Sequence, residues 1–169
     1  MTWYALLVCT VAVERLIEVR AAERNRAVSK SRGGVEFGSG HYPVMVLLHT
    51  CLLIGCLAEP IILHRNFIPL LGWPMLAVVV AAQALRWWCI TTLGYQWNTR
   101  VIVIPGAPRV TGGPYRLIPH PNYVAVIAEG VALPLVHNAW ITALAFSTLN
   151  AWLLSTRVKV ENAALAGLR

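Results

Sequence analysis

Acid is what this chain lacks most: it has no aspartate, and seven glutamates stand against fourteen lysines and arginines. Charge of either sign is scarce, at 12% of residues, while 57% are hydrophobic and the mean hydropathy is clearly positive. That balance excludes an ordinary soluble domain and belongs to a membrane protein. The basic residues are not gathered on one soluble module, which argues against nucleic acid as a partner. Cys9, Cys51, Cys56 and Cys89 lie in apolar runs without metal-ligand spacing, so they read as buried small hydrophobes rather than disulfides. His41, His49, His64 and His137 are equally scattered, and no metal site is expected. A Gly-x-Gly-x-x-Gly dinucleotide loop is missing, and so is any internal repeat. Met1 leads straight into an apolar stretch with no basic start and no cleavage pattern, so no cleaved leader is expected.

What is present is a series of long apolar runs, and they predict an all-α integral membrane protein of about five transmembrane helices. Thr2 to about Ala22 reads as the first span, with Glu14, Arg15, Glu18 and Arg20 crowded toward its far end, where they can reach headgroups. Asn25 to His41 carries Lys30, Arg32 and four glycines, which predicts a polar connection with little regular structure. Tyr42 to Leu63 is a second span and Pro69 to about Leu93 a third. Tyr95 to Pro119 is interrupted: Val101 to Ile104 is apolar but too short to cross, and Pro105, Gly106 and Pro108 break any helix, which predicts a linker at the interface. Pro121 to Val136 and Ala139 to Leu154 read as a hairpin of short or tilted helices, the first bent by Pro134. The polar tail from Ser155 to Arg169 reads as a separate interfacial helix. The whole chain, residues 1–169, makes one domain.

Charge sets an orientation. Arg24, Arg26, Lys30 and Arg32 in the first loop, Arg100, Arg109 and Arg116 in the third, and Arg157, Lys159 and Arg169 in the tail all fall on one side of a five-span arrangement. The opposite side carries Arg65 alone, so the positive-inside rule puts the N-terminus outside and the linker in the cytosol, in the inner membrane if the source is bacterial.

The stretch richest in chemistry runs from Gly112 to Tyr123 and packs turn formers, aromatics, Arg116 and His120 between apolar segments. Pro121 suits the first position of a helix, which sets His120 at the helix entrance. Unpaired backbone donors and the positive pole of the helix dipole make that end a docking point for an anionic group, or the stretch is simply a capped loop. Arg86 lies about eight residues before Gly94 in a span, where a free charge costs about 3 kcal/mol even on the lenient insertion scale. It needs water, a partner or an anionic ligand, unless its side chain snorkels across about 12 Å to the interface. Glu129, flanked by Val126, Ile127 and Val131, is either protonated or paired inside the bundle. Arg157 and Glu161 stand four apart on the tail, as an ordinary surface ion pair would.

Gly113-Pro114-Tyr115-Arg116, then His120-Pro121-Asn122-Tyr123, then Arg157 with Glu161 and Asn162, in that order and spacing, resemble the isoprenylcysteine carboxyl methyltransferase family over roughly Arg86 to Leu165. They also resemble a bacterial branch whose genes accompany those for long-chain polyketide pyrones. The resemblance implies S-adenosylmethionine as cofactor, held by Tyr115, Arg116, His120, Pro121, Asn122, Tyr123, Glu161 and Asn162, with Ala107, Pro108, Arg109 and Val110 beside it. It implies Arg86 and Arg157 as the residues that hold the acidic end of a lipid-like or prenylated substrate. The chain departs from the family at Pro119, where an arginine is usual, and at Glu161-Asn162, where a pair of acids is usual. Either Arg116 replaces the missing arginine or cofactor affinity falls.

A carboxylate is already ionised at neutral pH, and arginines need only orient it, whereas a phenol or enol needs a base that His120, Glu129 or Glu161 could provide. The resulting expectation is transfer of a methyl group to the carboxylate or hydroxyl of a lipid-like substrate. Two others stand beside it. A membrane reductase using a nicotinamide cofactor has a similar Asn-Tyr element, and a small transporter or lipid-binding scaffold would use Arg86, Glu129 and Glu59 as a polar path.

Overall fold

Neither glycine nor proline interrupts the chain between Thr2 and Ser31, and in a computed structural model, which describes residues 1–108 and 110–167, those residues form one helix, α1 (Thr2–Ser31). The expected end near Ala22 is corrected. Alanine, glutamate and arginine are good helix formers, and they carry α1 about two and a half turns beyond its apolar part. It stops where Gly33, at φ +79°, turns the chain.

The two segments expected to lack regular structure order each other. β1 (Val35–Phe37) pairs antiparallel with β2 (Val101–Val103), Val35 opposite Val103 and Phe37 opposite Val101. A three-residue strand is unstable alone, so this clasp exists because the bundle brings the first loop and the linker together.

α2 (His41–Ile62) and α3 (Pro69–Leu93) follow the expected spans, and the segments His41–Ile62 and Pro69–Gln96 are long and apolar enough to cross a membrane. α4 (Pro121–Leu135) opens on its proline, as does α3. The expected break between a last span and a separate tail helix is absent: α5 runs from Trp140 to Gly167 without interruption. Nothing at Leu154-Ser155 breaks a helix, and the hydroxyls of Ser155 and Thr156 bond back to the Trp152 carbonyl within the turn. Arg157 and Glu161 thus ride on the helix that contains the apolar run.

α3 packs most extensively on α4, and α4 and α2 pack on α5. At the end away from the clasp the core gathers Tyr4, Val8, Leu52, Val79, Leu133 and Phe146, and the Tyr4 hydroxyl donates to the Leu133 carbonyl at 2.9 Å. Gly130 lets α4 and α5 touch, since a Cβ there would fall 2.1 Å from the Phe146 ring. Glu59 finishes α5: its carboxylate accepts from the backbone N–H groups of Ile141 (3.2 Å) and Thr142 (2.7 Å), donors the first turn of a helix cannot satisfy itself. That capping role, with Arg65 at 3.4 Å, takes Glu59 out of the polar path a transporter would need.

Large apolar side chains such as Leu6, Leu16, Leu47, Ile54, Leu144 and Trp152 cover the outside of the bundle, an apolar exterior that suits lipid and not water. Cys56 and Cys89 are buried as expected, but Cys9 and Cys51 lie exposed on that surface.

Candidate functional site

The clasp end of the bundle is tied down by polar contacts. Asn25 of α1 donates to the carbonyls of Gly94 and Trp97 at 3.1 and 2.9 Å, stitching α1 to the turn after α3. Glu36 of β1 accepts from Arg100 at 2.8 Å and from Arg26 at 3.1 Å, while the Arg100 guanidinium lies 3.8 Å from the centre of the Tyr42 ring. Desolvation at Glu36 works against its charge, but the hydrogen bond and charge of Arg100, joined by Arg26, hold its carboxyl below the usual carboxylate range.

Gly113-Pro114-Tyr115-Arg116 forms a single 3-10 turn, with Gly113 at φ +54°. A Cβ on Gly113 would meet Thr92 Oγ1 at 2.5 Å, so only glycine lets the linker lie this close to the end of α3. The turn presents Tyr115 inward and leaves Arg116 exposed. Burial pushes the Tyr115 hydroxyl well above its ordinary pKa, so it stays a neutral donor. His120 stands at the entrance of α4 and stacks on Tyr123, ring centres 5.4 Å apart. The Tyr123 hydroxyl donates to Glu161 at 2.6 Å, and His120 Nδ1 lies 3.6 Å from the other Glu161 oxygen. Glu161 thus joins α5 to the start of α4 and makes no ion pair with Arg157 among the described residues. The surface pairing expected for those two is corrected: Arg157 is only 7% exposed, and its guanidinium donates to the Thr99 carbonyl at 2.9 Å and touches Met45 Sδ at 2.9 Å.

These elements surround a cavity of about 540 Å³. Ala107, Pro108, Val110, Tyr115, His120, Asn122, Tyr123 and Glu161 all line it, and so do Arg86 and Arg157. Residues far apart in the chain therefore converge on one space. Arg116, Pro121, Asn162 and Glu129 are not among its walls, and Arg109 lies outside the described residues. Pro119 does line the cavity, so the missing family arginine is missing at the wall, and the exposed Arg116 does not stand in for it.

Arg86 neither snorkels nor stands free. It is 6% exposed, its Nη2 donates to Glu129 at 2.6 Å, and its Nε faces Glu18 at 3.7 Å. Arg15 bonds the same Glu129 oxygen at 2.6 Å and also pairs with Glu18. Glu129 is thus paired inside the bundle, one of the two states expected of it.

The walls offer more polar groups than the chain itself satisfies. Buried atoms without a hydrogen-bond partner among the described residues include both side-chain polar atoms of Asn98, the Oδ1 atoms of Asn122 and Asn150, and the Nε atom of Arg157, and all four residues line the cavity. A buried polar atom left unbonded costs about 1–3 kcal/mol, so such a set fits a polar ligand with both donors and acceptors, as the amino-acid and nucleoside portions of S-adenosylmethionine provide. The walls also carry apolar side chains, among them Ala12, Leu53, Val126 and Leu153. Sequence reasoning missed Asn98, Thr99 and Asn150 and set His49 aside. Asn150 and His49 did carry a signal, since each is a polar side chain inside an apolar run.

The isoprenylcysteine carboxyl methyltransferase (ICMT) family matches residues 75–167. A Bacillus subtilis (strain 168) protein, the uncharacterized protein YpbQ, is 37% identical over 166 residues, which cover 98% of this chain and 96% of that one. An uncharacterized protein of Haemophilus influenzae is 22% identical over 163 residues, covering 95% of this chain and 92% of its own. No solved structure matches the chain.

Proposed function

The chain belongs to the isoprenylcysteine carboxyl methyltransferase family, and from that premise we propose that it transfers the methyl group of S-adenosylmethionine to a carboxylate or hydroxyl oxygen of a lipid-like acceptor in a membrane. The observation that carries this reading is the two-faced cavity, polar and unsatisfied under the linker and apolar between the helices. A water-soluble donor and a lipid-soluble acceptor can meet only in such a space.

Bound S-adenosylmethionine would supply an electrophilic methyl group on a sulfonium. His120, Asn122, Tyr123 and Glu161 would hold it at the start of α4, with Tyr115, Ala107, Pro108 and Val110 beside it. The Tyr123–Glu161 hydrogen bond fixes the distance between α4 and α5 across this pocket. Arg157 keeps its buried Nε–H without a hydrogen-bond partner among the described residues, and it would orient the acceptor oxygen together with Arg86, whose Nε faces Glu18. Holding that oxygen in line with the methyl carbon supplies much of the rate, because methyl transfer needs alignment more than proton chemistry. Glu129 is committed to two guanidiniums, so it positions Arg86 and is not the base. All five helices cross the bilayer, and the clasp, the linker and the end of α5 face the cytosol, where the methyl donor is found.

Calorimetry on the detergent-purified protein tests the cofactor. S-adenosylhomocysteine binds, reduced nicotinamide dinucleotide does not, and His120→Ala or Asn122→Ala weakens the binding about tenfold, the cost of one buried hydrogen bond to a ligand. Binding of the nicotinamide alone would put the reductase reading in its place.

A further inference from the structure

The inner, apolar part of the cavity contains one imidazole with a free lone pair. His49 sits on α2 two turns in from the clasp end and lines the cavity. Its Nδ1 lies 2.9 Å from the Met45 carbonyl oxygen. A carbonyl can only accept, so the neutral ring carries its proton on Nδ1 and leaves Nε2 as an acceptor. Among the described residues nothing donates to Nε2. Phe146 of α5 meets the ring edge-on, with centres 5.2 Å apart, and holds its plane.

Asn150 stands one turn along α5 from Phe146, buried to 2% exposure, with its Oδ1 unpartnered and its side chain on the cavity wall. His49 Nε2 and Asn150 Oδ1 are therefore two acceptors, on side chains of one wall, to which no group among the described residues donates. The charged groups around the imidazole are Arg15 and Glu18 from α1, Arg86 from α3, Glu129 from α4 and Arg157 from α5, whose guanidinium touches Met45 one turn before His49. Arg15 and Arg86 are bonded to Glu18 and Glu129, so this cluster holds no uncompensated cation, while Arg157 has no carboxylate partner among the described residues and is bound instead to the Thr99 carbonyl. Two free acceptors beside a balanced cluster call for a ligand that brings a donor.

We propose that His49 is the proton acceptor of the reaction and that the methyl acceptor enters as an un-ionised hydroxyl. The inference rests on the methyl-transfer reading and narrows its acceptor. The substrate O–H donates to His49 Nε2 and its proton passes there. The oxygen lone pair forms the bond to the methyl carbon while the carbon–sulfur bond breaks, its electrons remaining on sulfur. The products are a methyl ether, S-adenosylhomocysteine and an imidazolium that returns its proton to water. Asn150 aligns the hydroxyl, and the apolar walls take the alkyl chain.

The test uses the full-length protein in detergent with S-adenosylmethionine and three probes: a long-chain para-alkylphenol, its ortho-nitro derivative, which is ionised at neutral pH, and palmitic acid. His49→Gln should slow turnover of the alkylphenol about 100-fold and abolish the acid limb of its pH–rate profile. It should change turnover of the nitro derivative less than about threefold and leave S-adenosylhomocysteine binding intact, which also certifies the fold. In histidine-labelled protein carrying S-adenosylhomocysteine, the alkylphenol should move one Nε2 resonance, the one that His49→Gln removes. Equal losses on both phenols, an unmoved resonance, or methylation of palmitic acid alone would overturn the proposal while leaving methyl transfer in place. If the wild type bound no S-adenosylhomocysteine, the parent reading would fall and this one with it.

Discussion

Glu129 and Arg86 meet at 2.6 Å across the contact between α4 and α3, with side chains 5% and 7% exposed. Arg15 reaches the same carboxylate oxygen from α1, so one carboxylate joins three helices and fixes the side chain of Arg86 on the cavity wall.

Removing that carboxylate leaves Arg15 and Arg86 with Glu18 alone between them. Glu129→Ala should therefore lower stability by about 3 kcal/mol, read as a fall in Tm in detergent. Glu129→Leu with Arg86→Leu should recover part of the loss, because deleting both partners of a buried pair costs less than deleting one. An unchanged Tm in Glu129→Ala would mean that the pair contributes nothing.

Arg86→Ala and Arg157→Ala should each raise KM for the acceptor or slow turnover by about tenfold while leaving S-adenosylhomocysteine binding nearly intact. Since both side chains line one cavity, the double variant should lose less than the product of the two. Lysine should rescue either position only in part, because it lacks the planar fork. Loss of cofactor binding with normal kinetics at saturating cofactor would remove both residues from the acceptor site.

Topology is open to labelling. In a background without the native cysteines, Asn66→Cys in the loop between α2 and α3 should react with an impermeant reagent on intact cells, and Arg116→Cys should react only after lysis. Both positions are exposed. The reverse pattern would invert the protein in the membrane and move the donor pocket to the wrong side.

The clasp should loosen in acid. The Glu36 carboxyl is held below its ordinary range by Arg100 and Arg26, so its stabilisation is complete above the unfolded carboxylate pKa and is lost as pH falls through the lower folded value. The amount is modest, about 1 kcal/mol, since the contacts are near the surface and screened. Hydrogen exchange at Val101 and Val103 should speed up below about pH 4, and Glu36→Gln should show the fast rate already at neutral pH. A pH-independent rate in the wild type would remove Glu36 from the clasp.

The apolar runs, the prolines at positions 69 and 121 and the glycines at positions 112 and 113 were enough to mark where α2, α3 and α4 begin and where the linker turns. Those signals are local, because a helix start, a breaker and a left-handed turn each depend on a few neighbouring residues. The motif residues were legible too, although their meeting in one cavity was not. The sequence could not show that α1 and α5 continue past their apolar parts, because polarity marks where a helix leaves lipid and not where it ends. Nor could it show the β1–β2 clasp, whose strands lie far apart in the chain and are stable only as partners. Most of all, the choice between snorkelling, ligand binding and internal pairing for Arg86 depended on where Glu129, Glu18 and Arg15 came to lie. No spacing in the sequence encodes that choice, because ion pairs across three helices follow from how the helices pack.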